Sequence, residues 1–504
     1  MKKIKRTLIW ILILALAAGM SLGAWAETSD GAGSPPADMG QPPEGMGQPP
    51  EGGTPPEGGF PGEPPEGMGQ PPEGGAPGEG MGQPPEGGAP GGFGGSTPPG
   101  GGSGDFEYAA ATEITEATDE ADGAYASETA DESALIVDTD ADVTLANVTV
   151  TKTGDSNGGD NCNFYGLNAA VLAMGGGTTT IEGGTITSDA DGANGVFSYG
   201  GNGGHNGAAG DGTTVVISGV TITTAGDGSG GIMTTGGGVT YASDLTVETS
   251  GGSSAPIRTD RGGGTVVVDG GSYTTSGLGS PAIYSTADIT VENATLTSNL
   301  SEGVCIEGMN SITLTDCDMT ANNTAMNGNA TFLDTIMIYQ SMSGDADSGT
   351  SSFTMTGGSL TSRSGHVFHV TNTNAVITLS GVEITNEDAE NVLISVCDDG
   401  WSGAGNTATL NADGQALEGA ILVGENATLT LNLANGSALT GCVSGEIENA
   451  KGETVSTEVG TVAVTLDDTS TWTLTGDSYI AEFNGDLANV DRNGYTLYVN
   501  GEAM

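Results

Sequence analysis

Short apolar runs return on a fixed schedule between Gly230 and Thr320. Four successive blocks share one layout: a small-residue approach, an apolar step, a bend, and a run that alternates β-branched and polar positions. Aligned on Val247, Tyr273, Leu296 and Met319, the copies advance by 26, 23 and 23 residues. Alternation over four to eight positions, closed by Gly or Asn, predicts strands, whereas an amphipathic helix would repeat every three to four residues. A period in the low twenties predicts a solenoid in which each block is one coil. One coil cannot bury its own apolar side, so coils must stack and share a continuous core.

The same layout extends in both directions. It starts at Ala134, passes through Ala169–Ala173 and Val196–Tyr199, and continues through Phe353–Thr361, His366–Val370 and Ala375–Thr385 before loosening after Asn406. The predicted fold is an all-β, right-handed parallel β-helix with ~24 residues per coil and ~15 coils, roughly 70 Å long at the spacing of paired strands. Residues 134–405 are assigned to regular coils and 406–504 to less regular coils and a C-terminal cap. Residues 105–133 are assigned to an N-terminal cap or first coil, although their Ala and Glu content also favours helix. A column through Val171, Phe197, Ile232, Ile257, Ile283, Cys305, Phe368 and Leu393 is apolar and is expected to face inward. The next column, through Leu172, Ser198, Met233, Arg258, Tyr284, Ile306, His369 and Ile394, is mixed and is expected to face outward.

Residues 27–104 have no apolar recurrence. Met-Gly-Gln-Pro-Pro-Glu-Gly begins at Met39, Met46, Met68 and Met81, with related Pro/Gly units between. Such a segment cannot build a core and is expected to be a disordered, semi-extended tether. Residues 1–26 carry a basic start (Lys2, Lys3, Lys5, Arg6), an apolar run from Leu8 to Ala18 and Ala24-Trp-Ala26. This pattern predicts a signal peptide cleaved before Glu27. No later apolar stretch is long enough for a membrane span.

Charge narrows the function. The chain has 64 acidic and 10 basic residues, a net charge of −54. Loss of the leader would leave six basic residues and a net charge of −58. That sign excludes phosphate-backbone binding and disfavours anionic lipid. It also favours a soluble monomer and makes divalent counterions plausible. The five cysteines are widely spaced, odd in number and lack C-x-x-C, so free buried thiols are expected.

Candidate chemistry gathers where the coils lengthen. Inserts at 200–212, 340–352 and 396–406 follow the same strand position, and one at 154–165 leaves a different corner. Candidate ligand-binding residues on the outward column and these loops are Tyr199, His205, Arg258, Asp260, Arg261, Tyr284, His369 and Trp401. Aromatic rings can stack on sugar rings, and Arg can fork onto carboxylates. Asp398 with Asp399, and Asp345 with Asp347, are the carboxylate pairs that glycoside hydrolysis would require, though adjacent Asp residues also serve turns. Asp138–Asp142 begins like a calcium loop but has Val143 and Thr149 at its sixth and twelfth positions, so Ca²⁺ has no motif here and no cofactor is assigned. With three histidines and no nucleophile elbow, Ser/His/Asp catalysis is not expected.

The blocks Phe164–Ala173, Gly231–Gly238, Ile257–Gly264 and Gly279–Ile289 resemble adhesin-like, right-handed parallel β-helix surface proteins of anaerobic bacteria, within the pectate-lyase-like superfamily. The resemblance covers about 134–400. It implies the fold and an extracellular, cell-surface-associated location, and it brings no catalytic residue with it. The expected function is therefore a rigid acidic rod that binds extracellular polysaccharide or host or cell-surface glycans. The alternatives are a polysaccharide lyase or glycoside hydrolase using the Arg258–Arg261 corner, and a structural surface or matrix component.

Overall fold

The computed structural model describes residues 107–156, 158–202 and 209–504. The signal peptide, the tether and His205 lie outside them. The described chain is a parallel β-helix. Thirteen strands, from Ala110–Ile114 to Val443–Ser444, form one sheet, and their pairing runs parallel from coil to coil. A second sheet of twenty-two strands wraps the other two sides. Its two ladders join where Val143–Lys152 and Thr178–Ser188 run unbroken round the corner. A four-stranded sheet follows on the third side as far as Val490–Asp491. Two short antiparallel pairings, Ile447–Glu448 with Thr454–Ser456 and Leu497–Val499 with Glu502–Ala503, lie near the C-terminal end.

The repeat alignment coincides with the strand register. Val247 pairs with Tyr273, Tyr273 with Leu296 and Leu296 with Met319. All four are buried, and they join one long core cluster with Ile257, Ile283 and Trp472. Residues 110–127 form a first coil whose strands pair onto the next, in place of the helical alternative.

The bend between the second and third sides explains the Gly/Asn/Asp punctuation. Asp244, Gly270, Asn293, Asp316 and Gly357 stack at this bend with φ of 51°, 74°, 56°, 49° and 65°. Left-handed backbone costs least for Gly and is eased for Asn and Asp by local hydrogen bonding. Each of these residues donates its N–H to the coil below, as from Asp244 to Asp269 and from Gly270 to Glu292.

The inward column needs correction at two positions. Ile232 pairs with Val196, and Ile283 with Val304, so Val196 and Val304 face the core. Phe197 and Cys305 instead stand on the outer side of the same strands. Phe197 packs with Leu172 and Met233, and Cys305 packs with Tyr284, Met337 and Trp401. Correspondingly, Ser198 and Ile306 leave the outward column, and Ile306 lies in the main core. Near Leu393 the register shifts at a bulge, so Ile394 pairs with Phe368 while Leu393 also reaches the core.

Candidate functional site

The second and third sides alternate buried and partly exposed residues, as in Val266 to Asp269 and Ser272 to Thr275. The first side does not. Ile283–Ser285, Val304–Glu307, Asp334–Tyr339 and His366–Thr371 are buried throughout. Something covers its outer surface, and the cover consists of the inserts and corner loops.

One wall is the 154–165 insert with its short helix Asn161–Tyr165. Asn194 Nδ2 holds it by donating to Cys162 O at 3.2 Å, and Thr235 Oγ1 donates to Phe164 O at 2.7 Å. This insert leaves from the opposite edge of the first side, yet it meets the 340–352 insert across the strand surface. The link is Arg261. Its Nη2 lies 2.7 Å from Asp345 Oδ1, and its guanidinium sits 4.1 Å from the centre of the Phe164 ring.

Between these walls lies a cleft of about 470 Å³, within the range of small-ligand pockets. Its floor includes Arg258, Asp260 and Tyr284, and Ser343 and Asp345 line its far side. Arg258 donates to Ser253 O at 2.6 Å and to Asp260 Oδ2 at 2.8 Å. Its guanidinium carbon is 5.5 Å from the Tyr284 ring centre. Burial pushes the Asp260 carboxyl up to about 7, although Arg258 beside it pulls the other way. Tyr284 donates to Glu307 Oε2 at 2.6 Å, and Tyr339 donates to the same oxygen at 3.1 Å. These bonds fix Tyr284 from beneath.

The near rim is built by side chains that read as turn residues in the sequence. Asp227 N donates to Asp191 Oδ1 at 2.9 Å, and Gly252 N donates to Asp227 Oδ1 at 2.7 Å. A serine ladder backs them: Ser229 N donates to Ser254 Oγ at 2.9 Å, and Ser254 N to Ser280 Oγ at 2.8 Å. Each corner is thus tied to the next coil by a side chain, which holds Asp191 and Asp227 in line along the cleft.

Of the eight candidate residues, the structure brings Arg258, Asp260 and Tyr284 into the cleft and places Arg261 as the brace behind it. Tyr199 is half-buried and meets Tyr165 edge to face at 5.9 Å, beside the cleft. Trp401 is buried against Tyr339 at 5.0 Å, and His369 is fully buried. Neither is presented to solvent, because the 322–333 and 397–406 segments fold over that part of the first side. His369 Nδ1 is 2.8 Å from Ser395 Oγ, and its Nε2 is 3.3 Å from Asp399 Oδ2. Phe332 stacks on the same ring at 4.6 Å, so this Ser/His/Asp grouping is sealed inside the protein. Asp399 also accepts from Thr331 and Gly400, which makes it a loop clasp. Asp160, Asp191 and Asp227 were not singled out from the sequence; their spacing matches ordinary turn chemistry and carries no separate signal.

Among the described residues no cluster of His, Cys, Asp and Glu has metal-holding geometry, and all five cysteines are free. No helix among them is long and apolar enough to cross a membrane. The chain matches no family model, no curated protein and no solved structure. The class is therefore defined by architecture alone: a parallel β-helix with a braced cleft on one side.

Proposed function

We propose that this protein is an exported, cell-surface-associated binding rod that takes glycan ligands in the cleft over Arg258, Asp260 and Tyr284. One observation carries the reading. The side of the helix whose outer surface is covered is also the side where two inserts from opposite edges are braced around a ligand-sized opening. Its lining mixes ring faces, hydroxyls, amides and carboxylates. Sugar hydroxyls donate well to carboxylates, and sugar C–H faces pack on aromatic rings. Location outside the cell is supported by the basic-then-apolar start of the chain and its A-x-A site. The resemblance to adhesin-like surface β-helices points the same way.

Catalysis on acidic polysaccharide finds less support. Arg258 is engaged by Ser253 and Asp260, and Asp399 is buried under a loop. The test is a glycan array probed with the secreted chain and with Asp345→Asn and Arg258→Ala. Retention of a defined glycan group that both variants lose supports the proposal. Absence of any retained glycan rejects it, and released unsaturated or reducing-end products would move the protein to the enzymes.

A further inference from the structure

The charge of the cleft narrows the ligand, an inference that rests on the glycan reading above. Five carboxylates line it: Asp160, Asp191, Asp227, Asp260 and Asp345. Two guanidinium groups stand against them. Arg258 is committed to Asp260 at 2.8 Å, and Arg261 to Asp345 at 2.7 Å. Pairing these cancels two carboxylates and leaves Asp160, Asp191 and Asp227 without a cationic partner, all on the exposed near rim. Asp191 and Asp227 each spend one oxygen, Oδ1, on a backbone N–H of the next coil, so their positions are set while their charge is not neutralised. The cleft thus has fixed negative charge on one side and ring faces and hydroxyls on the other.

We infer that the cleft selects amine-bearing glycans, in which a protonated sugar amine is held by Asp191 and Asp227 while the ring packs over Tyr284. Uronic-acid polymers are the wrong sign for it. Neutral sugars fill the same space but leave the rim carboxylates with water. A charge complement of this kind raises specificity and association rate and weakens as salt screens it.

The experiment uses the full chain with two probes, a glucosamine tetramer and its fully N-acetylated counterpart, compared by calorimetry at pH 5.5. The variant is Asp191→Asn/Asp227→Asn. Asn keeps a side-chain Oδ1 to accept the same backbone N–H groups, so the corners stay tied while the charge goes. The expected result is that the amine form binds about tenfold or more tighter than the acetylated form. That preference should shrink with added salt and vanish in the double variant, with the acetylated form bound as before. Equal binding of the two probes, a preference that survives the double variant, or binding that requires added Ca²⁺ would overturn the inference and leave the glycan reading standing. Absence of binding by both tetramers overturns the inference as well, and the array then judges the broader reading on its own. A circular-dichroism spectrum and melting point matching the parent confirm that the double variant is folded.

Discussion

Arg261 Nη2 lies 2.7 Å from Asp345 Oδ1, although 84 positions separate the two residues in the chain. Nε of the same arginine reaches that oxygen at 3.1 Å, and the guanidinium covers the Phe164 ring at 4.1 Å. One side chain therefore joins two inserts that arise from different coils and different edges. Both partners keep about a fifth of their side-chain surface in water, so the pair contributes little to global stability, about 1 kcal/mol or less. Its larger effect is to pre-order the walls before a ligand arrives. Arg261→Ala should leave the melting point within a few degrees of the parent while weakening ligand binding roughly tenfold. Arg261→Lys should restore the charge without the fork and recover only part of the loss. A melting curve paired with a binding isotherm checks both, and a large stability loss would show that Arg261 serves the fold and not the cleft.

Tyr273 sits in the core column between Val247 and Leu296, fully buried. Its hydroxyl has no hydrogen-bond partner. A buried polar group left unsatisfied costs about 1–3 kcal/mol. Removing it without changing the ring should relieve part of that cost. Tyr273→Phe is expected to hold or raise stability by about 1 kcal/mol, whereas Ile283→Ala in the same core should lose about 2–5 kcal/mol. Equilibrium denaturation of the two variants beside the parent is the measurement. A marked loss in Tyr273→Phe would mean that the hydroxyl is bonded in solution.

The bend at Gly381 separates two reasons for glycine. Its φ is +63°, and a Cβ built there would meet nothing within 4 Å. Space is not the constraint; backbone handedness is. Gly381→Val should therefore cost about 1–2 kcal/mol, the penalty of left-handed backbone for a side chain. Gly381→Asn should be close to neutral, since Asn already occupies the equivalent bend at Asn293 and Asn435 with φ of 56° and 57°. Equal losses in the two variants would point to a packing requirement.

The coil, the core and the bends were legible in the sequence because all three repeat. Val247, Tyr273, Leu296 and Met319 are one position written four times, and their alignment fell on the true register. Phe197 and Cys305 show where that logic fails. Apolar residues stand on both sides of each, Val196 before one and Val304 and Ile306 around the other, so alternation does not say which residue points inward. A shift of one residue moves a side chain to the opposite face. The ambiguity exists because the outer surface of this side is covered, which allows apolar residues there too. The cleft was legible only in part for a related reason. Arg258, Asp260 and Tyr284 lie on a repeating strand and could be placed outward from the sequence. Asp160, Asp191 and Asp227 become a rim only when separate loops converge, and no local spacing encodes that meeting.

Asp260 and His366 should give the protein opposing responses to acid. Burial raises Asp260 to about 7 against the pull of Arg258. A carboxyl raised above its unfolded value contributes stability that is fully present below about 4, and that contribution is lost as pH climbs toward 7. Asp260→Asn cannot ionise, so its stability should fall less than the parent's between pH 4 and 7. Burial, with His369 adding to it, lowers His366 to about 3. Its ring is 2.7 Å from Ser395 Oγ and 5.4 Å from the Phe332 ring centre. A lowered histidine contributes stability that is present above about 6.5 and lost as pH falls toward 3. His366→Gln should therefore be less acid-sensitive than the parent over that window, while being less stable at neutral pH because the ring is lost. Chemical denaturation of the three proteins at half-unit steps from pH 3.5 to 7.5 resolves the two contributions. Parallel curves for the parent and Asp260→Asn would mean that Arg258 holds the carboxylate ionised throughout and that burial does not dominate at the floor of the cleft.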